Sequence, residues 1–192
     1  MPKNGGTYKK ILLSAEKVFA EKGYDGAGMR EIADTAKVNK AMLFYYFKSK
    51  EKLYSAIITE AHKEMNEKIS KVVDMNAAAG EKIQKLAEIF TNLLFKRQDL
   101  FRIALREMSE FKEKTKFSGR EHVMSTIDGM AKIINEGVKN KEFREIDPLT
   151  ATFAFFGFIK TLFAQRFFTG KKLSQNEIVK QSCDLILNGI KK

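Results

Sequence analysis

Apolar residues return at the helical period through almost every segment of this chain, which points to an all-α fold. In the first segment Ile11, Ala15, Val18 and Phe19 fall at i, i+4, i+7 and i+8, on one face. No segment of the 192 residues reads convincingly as a strand, and there is no internal repeat. Two prolines, 8 methionines, 16 phenylalanines and no tryptophan favour a Phe-rich helical interior over a sheet. At 44% hydrophobic content, a chain this long can bury one sizeable core and carry a small appended module.

The punctuation divides the pattern. Thr7 is a candidate N-cap for the first helix, and Gly23 stops it. A short helix is predicted over 29–36, with Ile32, Ala33 and Ala36 inward, followed by a tight break at Lys37 and Val38. Asn39 can cap a third short helix reaching Phe47, and Ser49 a long fourth one. The fourth carries Leu53, Ile57, Ile58, Ala61, Met65, Ile69 and Val72, so it outruns the small module and connects it to the remainder. Residues 74–80 form a boundary. Helical runs around Ile83–Leu94, Leu100–Phe111 and Val123–Val138 follow, with a polar loop over 112–119. Asp147 and Pro148 open a helix that ends at Gly170 and is apolar around nearly its whole circumference. Ser174 and Glu177 form a capping box for the last one.

The net charge is +11, and residues 1–53 hold eleven Lys and Arg against six Asp and Glu. That balance favours a polyanionic partner, nucleic acid or an anionic membrane surface. One cysteine, Cys183, excludes an internal disulfide and fits a reducing cytoplasm. Residues 1–6 are polar, so no signal peptide is expected. The longest apolar stretch, 151–159, is far short of the roughly 20 residues a membrane span needs, so no membrane role is expected. His62 and His122 lack acidic or thiol neighbours at ligand spacing. There is also no phosphate loop, nucleophile elbow or paired carboxylate. No metal, cofactor or catalytic residue is therefore expected, and the chain is not read as an enzyme.

Three short helices with a tight turn between the second and third describe a helix-turn-helix, whose last helix reads the major groove. Here that helix is 39–47. Its leading residues Asn39, Lys40, Ala41 and Met42 are small, polar or flexible, and Leu43 and Phe47 face inward. The residues themselves leave open how Phe44, Tyr45 and Tyr46 divide between core and DNA backbone.

Gly23-Tyr24, Arg30-Glu31-Ile32-Ala33, Ala36, Val38, Lys40 and the run Leu43-Phe44-Tyr45-Tyr46-Phe47-Lys48-Ser49-Lys50-Glu51-Lys52-Leu53 resemble the N-terminal domain of the TetR family of bacterial transcriptional regulators. The likeness covers about residues 7–55. It implies a DNA-binding domain over 1–53 and a helical effector-binding and dimerisation domain over 54–192. It further implies that Arg30 reaches a base or phosphate, that Lys40 meets a base edge or phosphate, and that Lys50 at the start of the fourth helix meets a phosphate. Phe44 stands where a tyrosine is common, so it offers an apolar contact, and Tyr45 or Tyr46 supplies a hydroxyl instead. Ala27 and Gly28 replace frequent threonines, Lys37 a frequent glycine and Met42 a frequent threonine, which alters the operator sequence but not the fold.

The expected function is a homodimeric repressor, released from a palindromic double-stranded DNA operator by a small, largely apolar ligand. The helices near 148–169 and 174–190 would pair across a two-fold axis as a four-helix bundle. Phe90, Leu94, Phe101, Met108, Met130 and Phe156 are candidates to line the effector site, each against the plainer reading of core packing. Arg102, Arg106, Lys160 and Arg166 could meet an acidic head group, or could be solvated or ion-paired. Two other readings stay open. One is an effector-independent architectural or nucleoid-associated DNA-binding protein, favoured by a filled, dry C-terminal core. The other is an enzyme or carrier of hydrophobic ligands whose basic face meets a membrane.

Overall fold

The computed structural model describes residues 5–109 and 120–190, with only the backbone of 104–109 and 120. Among the described residues there are nine helices and no strand. They are α1 Gly6–Gly26, α2 Met29–Thr35, α3 Lys40–Tyr46, α4 Lys50–Val73, α5 Ala79–Lys96, α6 Gln98–Ser109, α7 Arg120–Lys139, α8 Pro148–Phe168 and α9 Gln175–Ile190. The expected loop over 112–119 lies outside the described residues. The helices belong to two compact units. One holds the chain up to Ala61 and the segment that begins at Arg97; the other begins at His62, runs to Lys96 and resumes at Arg120.

In the first unit Ile11, Ile32, Leu43, Leu53 and Ile57 are fully buried and Phe19 nearly so. Aromatic rings close the core. Tyr8 stacks on Phe47 at 5.0 Å, and Tyr54 meets Phe19 and Tyr24 edge-on at 4.9 and 5.1 Å. Leu100 and Ile103 of α6 pack into the same cluster, so this unit takes in more than the 1–53 module expected from sequence. Arg97 binds Glu16 of α1 through Nε and Nη2. Glu16 is almost completely buried, so the pair ties the start of α6 to the middle of α1.

Gly23 leaves the helical region at φ 74°, as a stop glycine should, although a further turn carries α1 to Gly26. The expected cap at Thr7 is not formed. Gly5 takes the cap position without a side-chain bond, and Thr7 lies within the first turn. Asn39, Ser49, Asp147 and Ser174 do cap, accepting from Met42, Lys52, Thr150 and Glu177 backbone N–H groups. Glu177 completes the box by accepting from the Ser174 N–H at 2.8 Å.

The turn between α2 and α3 is a Schellman motif. Val38 N–H donates to the Ala33 carbonyl and Lys37 N–H to that of Asp34. The motif needs a left-handed residue, and Lys37 sits there at φ 51°. A side chain in that region is strained by roughly 1 kcal/mol. Lys37→Gly is therefore expected to raise stability by up to about 1 kcal/mol, less the greater chain entropy of glycine when unfolded. Thermal unfolding of the two proteins measures it.

In the second unit α5 packs on α9 and α7, and α8 on α7 and α9. Ile83, Met130, Ile133, Ile134, Phe155 and Phe163 are fully buried. Lys82 is buried too, with its ammonium on both Glu136 oxygens at 3.0 Å and on the Val73 carbonyl at 3.1 Å. A second Schellman motif ends α7, with Lys141 at φ 62°. It folds Phe143 back against Gly137. On α8 the apolar circumference divides. Phe155, Phe156, Ile159 and Phe163 are covered, while Leu149, Phe153, Phe158, Phe167 and Phe168 are exposed in the protomer.

Candidate nucleic-acid interface and effector region

The DNA-contact candidates of α2 and α3 lie on the surface with the exception of Tyr46, which is half-buried. Arg30 is exposed on the first turn of α2. Gly28 caps α2 without a side-chain bond, as its lack of a hydroxyl requires. On α3, Asn39, Lys40, Ala41, Met42, Phe44 and Tyr45 are all exposed, while Leu43 is fully buried and Phe47 is 4% exposed. Two anchors one turn apart thus fix the helix and turn the remaining side chains outward. The Lys40 ammonium lies 5.7 Å from the Phe44 ring centroid, a cation–π contact at the open face.

The two tyrosines part company. Tyr45 is 58% exposed and its hydroxyl is available to a phosphate. Tyr46 packs against the core, edge-on to Tyr8 at 6.2 Å, and is a packing residue. Lys50 also differs from expectation. Its ammonium donates to the carbonyls of Tyr24, Ala27 and Asp25 at 2.8, 3.1 and 3.3 Å and lies over the Tyr24 ring. With all three donors engaged, this side chain ties α4 to the end of α1, and meeting a phosphate requires exchanging those bonds. Exposed Lys37 and Lys48 flank α3 and are further cations that the motif did not single out.

The effector candidates are only partly gathered. Phe90 meets Phe156 edge-on at 4.9 Å between α5 and α8. Leu94, Met130 and Phe156 are buried in the same unit. Phe101 belongs to the first unit, where it is buried. The side chains of Met108, Arg106 and Phe111 lie outside the described residues. A groove of about 700 Å³ runs between α5 and α9, lined by Gln84, Asn92, Gln175, Cys183 and Leu187 among others. None of the five candidates whose side chains are described lines it. Arg102 lies 3.6 Å from Asp99, and the Arg166 guanidinium stacks on Phe95 at 4.5 Å. Among the described residues no cluster of three or more His, Cys, Asp or Glu is placed to hold a metal ion, and no helix is long and apolar enough to cross a membrane.

A short helix presented outward on two buried anchors, behind a tight turn and ahead of a long helix, is the plan of a helix-turn-helix DNA-binding protein with an attached helical domain. Residues 11–57 match the family model described as bacterial regulatory proteins, tetR family, and residues 76–190 match that of the tetracyclin repressor-like C-terminal domain. The chain belongs to the TetR family of bacterial transcriptional regulators. That family is one of regulatory DNA-binding proteins rather than enzymes.

Among curated relatives, the transcriptional activator FasR of Mycolicibacterium smegmatis is 47% identical over 49 residues, which is 26% of this chain and 22% of that protein. A solved Clostridium perfringens structure, assigned provisionally as a fatty acid metabolism regulator, is 28% identical. It has a TM-score of 0.84 and covers 94% of this chain and 98% of its own. The Bacillus subtilis regulator FadR in complex with stearoyl-CoA superposes with the same TM-score at 23% identity, covering 95% and 99%.

Proposed function

We propose that this protein is a homodimeric repressor, working in the cytoplasm, that leaves a palindromic operator when it binds a molecule with a long acyl chain. The outward presentation of α3 on Leu43 and Phe47 carries the DNA-binding half of this reading. Residues 1–53 present the DNA-reading surface, and effector and partner bind within residues 54–192. Exposed Phe158, Phe168 and Leu185 on α8 and α9 favour a second copy as their cover. Full burial of an exposed large apolar side chain contributes about 1.5–3 kcal/mol, and each of these contributes the share that its remaining exposure leaves. The acyl class rests on the likeness to a regulator solved with stearoyl-CoA and to another assigned to fatty acid metabolism.

Two recognition helices must enter successive major grooves about 34–36 Å apart. An effector that binds better to a form with another spacing withdraws them; equal affinity for both forms changes nothing. The test is a mobility shift on a duplex selected from a random pool. The protein is expected to bind as two copies, with release by stearoyl-CoA. Lys40→Ala is expected to change the selected sequence more than the affinity, by discrimination of about 1–3 kcal/mol at one base pair. The same motif selected by both proteins would remove Lys40 from base readout.

The effector-independent reading has one observation in its favour. Met130 is fully buried and Phe90 packs on Phe156, so these candidates fill space in this form. Operator binding untouched by acyl ligands, at any concentration, would favour it.

A further inference from the structure

The two charged residues buried most deeply among those described, Glu16 and Lys82, each have a partner. Lys160 on α8 does not. It is half-buried, beside fully buried Ile159 and one turn from buried Phe156 and Phe163. Among the described residues it joins no ion pair and donates no hydrogen bond. Burial lowers its ammonium below the usual lysine range, and no carboxylate among the described residues offsets the effect. A cation taken from water without a partner costs free energy, and such a group is retained where a ligand supplies the missing charge.

Its surroundings are polar on one side. The Lys160 charge reaches His62 of α4, whose imidazole is held down to about 4 by burial first, then by Lys160 and by His122. His62 is therefore neutral at physiological pH. Its Nδ1 lies 3.2 Å from Thr126 Oγ1, which is 2.5 Å from Asn66 Oδ1. Asn66 in turn donates to the His122 carbonyl at 3.0 Å. Among the described residues these hydrogen bonds involve no acidic side chain. On the other side, Phe153 and Phe167 stand seven residues before and after Lys160 on the same face of α8, both exposed. The ammonium therefore sits midway along an apolar line on which a hydrocarbon chain can lie.

We infer that Lys160 takes the anionic group of the effector, a carboxylate or a phosphate, on the face of α8 that it shares with exposed Phe153 and Phe167. This rests on the acyl-effector reading above and names the residue that gives that effector its charge requirement.

The test compares oleate, oleoyl-CoA and oleyl alcohol as ligands of the full chain and of its Lys160→Met and Lys160→Arg variants. Calorimetry reads binding, thermal unfolding reads stability and light scattering reads the oligomer. Wild type is expected to bind oleate or oleoyl-CoA at least about tenfold more tightly than the alcohol, and whichever binds better identifies carboxylate or phosphate as the anion. Lys160→Met is expected to erase that preference, to retain the alcohol's affinity and to unfold at higher temperature without ligand. Lys160→Arg is expected to keep part of the preference. Equal binding of all three ligands by wild type, or an unchanged preference in Lys160→Met, overturns the site and leaves the acyl reading standing. A Lys160→Met variant that loses the dimer yet keeps the ligand preference makes Lys160 an interface residue and overturns it too. If none of the three binds wild type, the acyl reading falls and the site falls with it.

Discussion

Arg97→Ala is expected to destabilise the DNA-binding unit by about 3–5 kcal/mol, the usual consequence of removing one member of a buried ion pair. The reason lies with the residue left behind. Glu16 is 4% exposed, on the inward side of α1, and Arg97 supplies it with a two-nitrogen grip. Without that grip the carboxylate stays buried and unpaired, or the start of α6 swings away and takes Leu100 and Ile103 from the core. Chemical denaturation should show a lowered midpoint. The double change Glu16→Met with Arg97→Leu should recover most of the loss, because an apolar pair of similar volume often replaces a buried ion pair at little cost. A single variant as stable as wild type would mean that the pair contributes nothing.

The second large effect concerns the end of α7. Gly137→Val is expected to cost about 3 kcal/mol, the upper end for overpacking a filled core. Any Cβ at Gly137 runs into the Phe143 ring on one side and Ala79 Cβ on the other. Phe143 is 3% exposed, and its own N–H is bonded to the Gly137 carbonyl at 3.0 Å, so the ring cannot withdraw without opening the turn. Calorimetry on the variant, alone and with Phe143→Ala, measures it. The second change should relieve part of the clash, and simple additivity of the two losses would contradict the account.

What was legible in the sequence was whatever local chemistry dictates. Asn39, Ser49, Asp147 and Ser174 cap because each precedes a periodic run. Leu43 and Phe47 face inward because four residues make one turn. Lys37 is left-handed because the Schellman bonds demand it, whatever side chain is present. The misses are long-range. Glu16 and Arg97 stand 81 residues apart, and no local pattern pairs them. Leu100 and Ile103 look like any amphipathic stripe, so their membership in the first unit was invisible. Tyr45 and Tyr46 are adjacent aromatics, and only the position of Tyr8 decides which one is covered. The three-carbonyl grip on Lys50 is equally invisible locally, because the carbonyls of residues 24, 25 and 27 come together only in the folded chain. Aromatic and methionine content marks buried residues but does not mark which of them wall a cavity.

The pairing of α1 with α6 also bears on how the protein is made. The groove-reading head is written in two pieces, with an entire helix of the other unit between them. A nascent chain that has emerged only as far as α5 lacks Arg97, Leu100 and Ile103, and so exposes the side of α1 that they cover. Closing that long loop is a slow step of high contact order. Completion of the head therefore waits until more than half of the protein has been synthesised, and a fragment cut after the helix-turn-helix should leave apolar surface that invites aggregation.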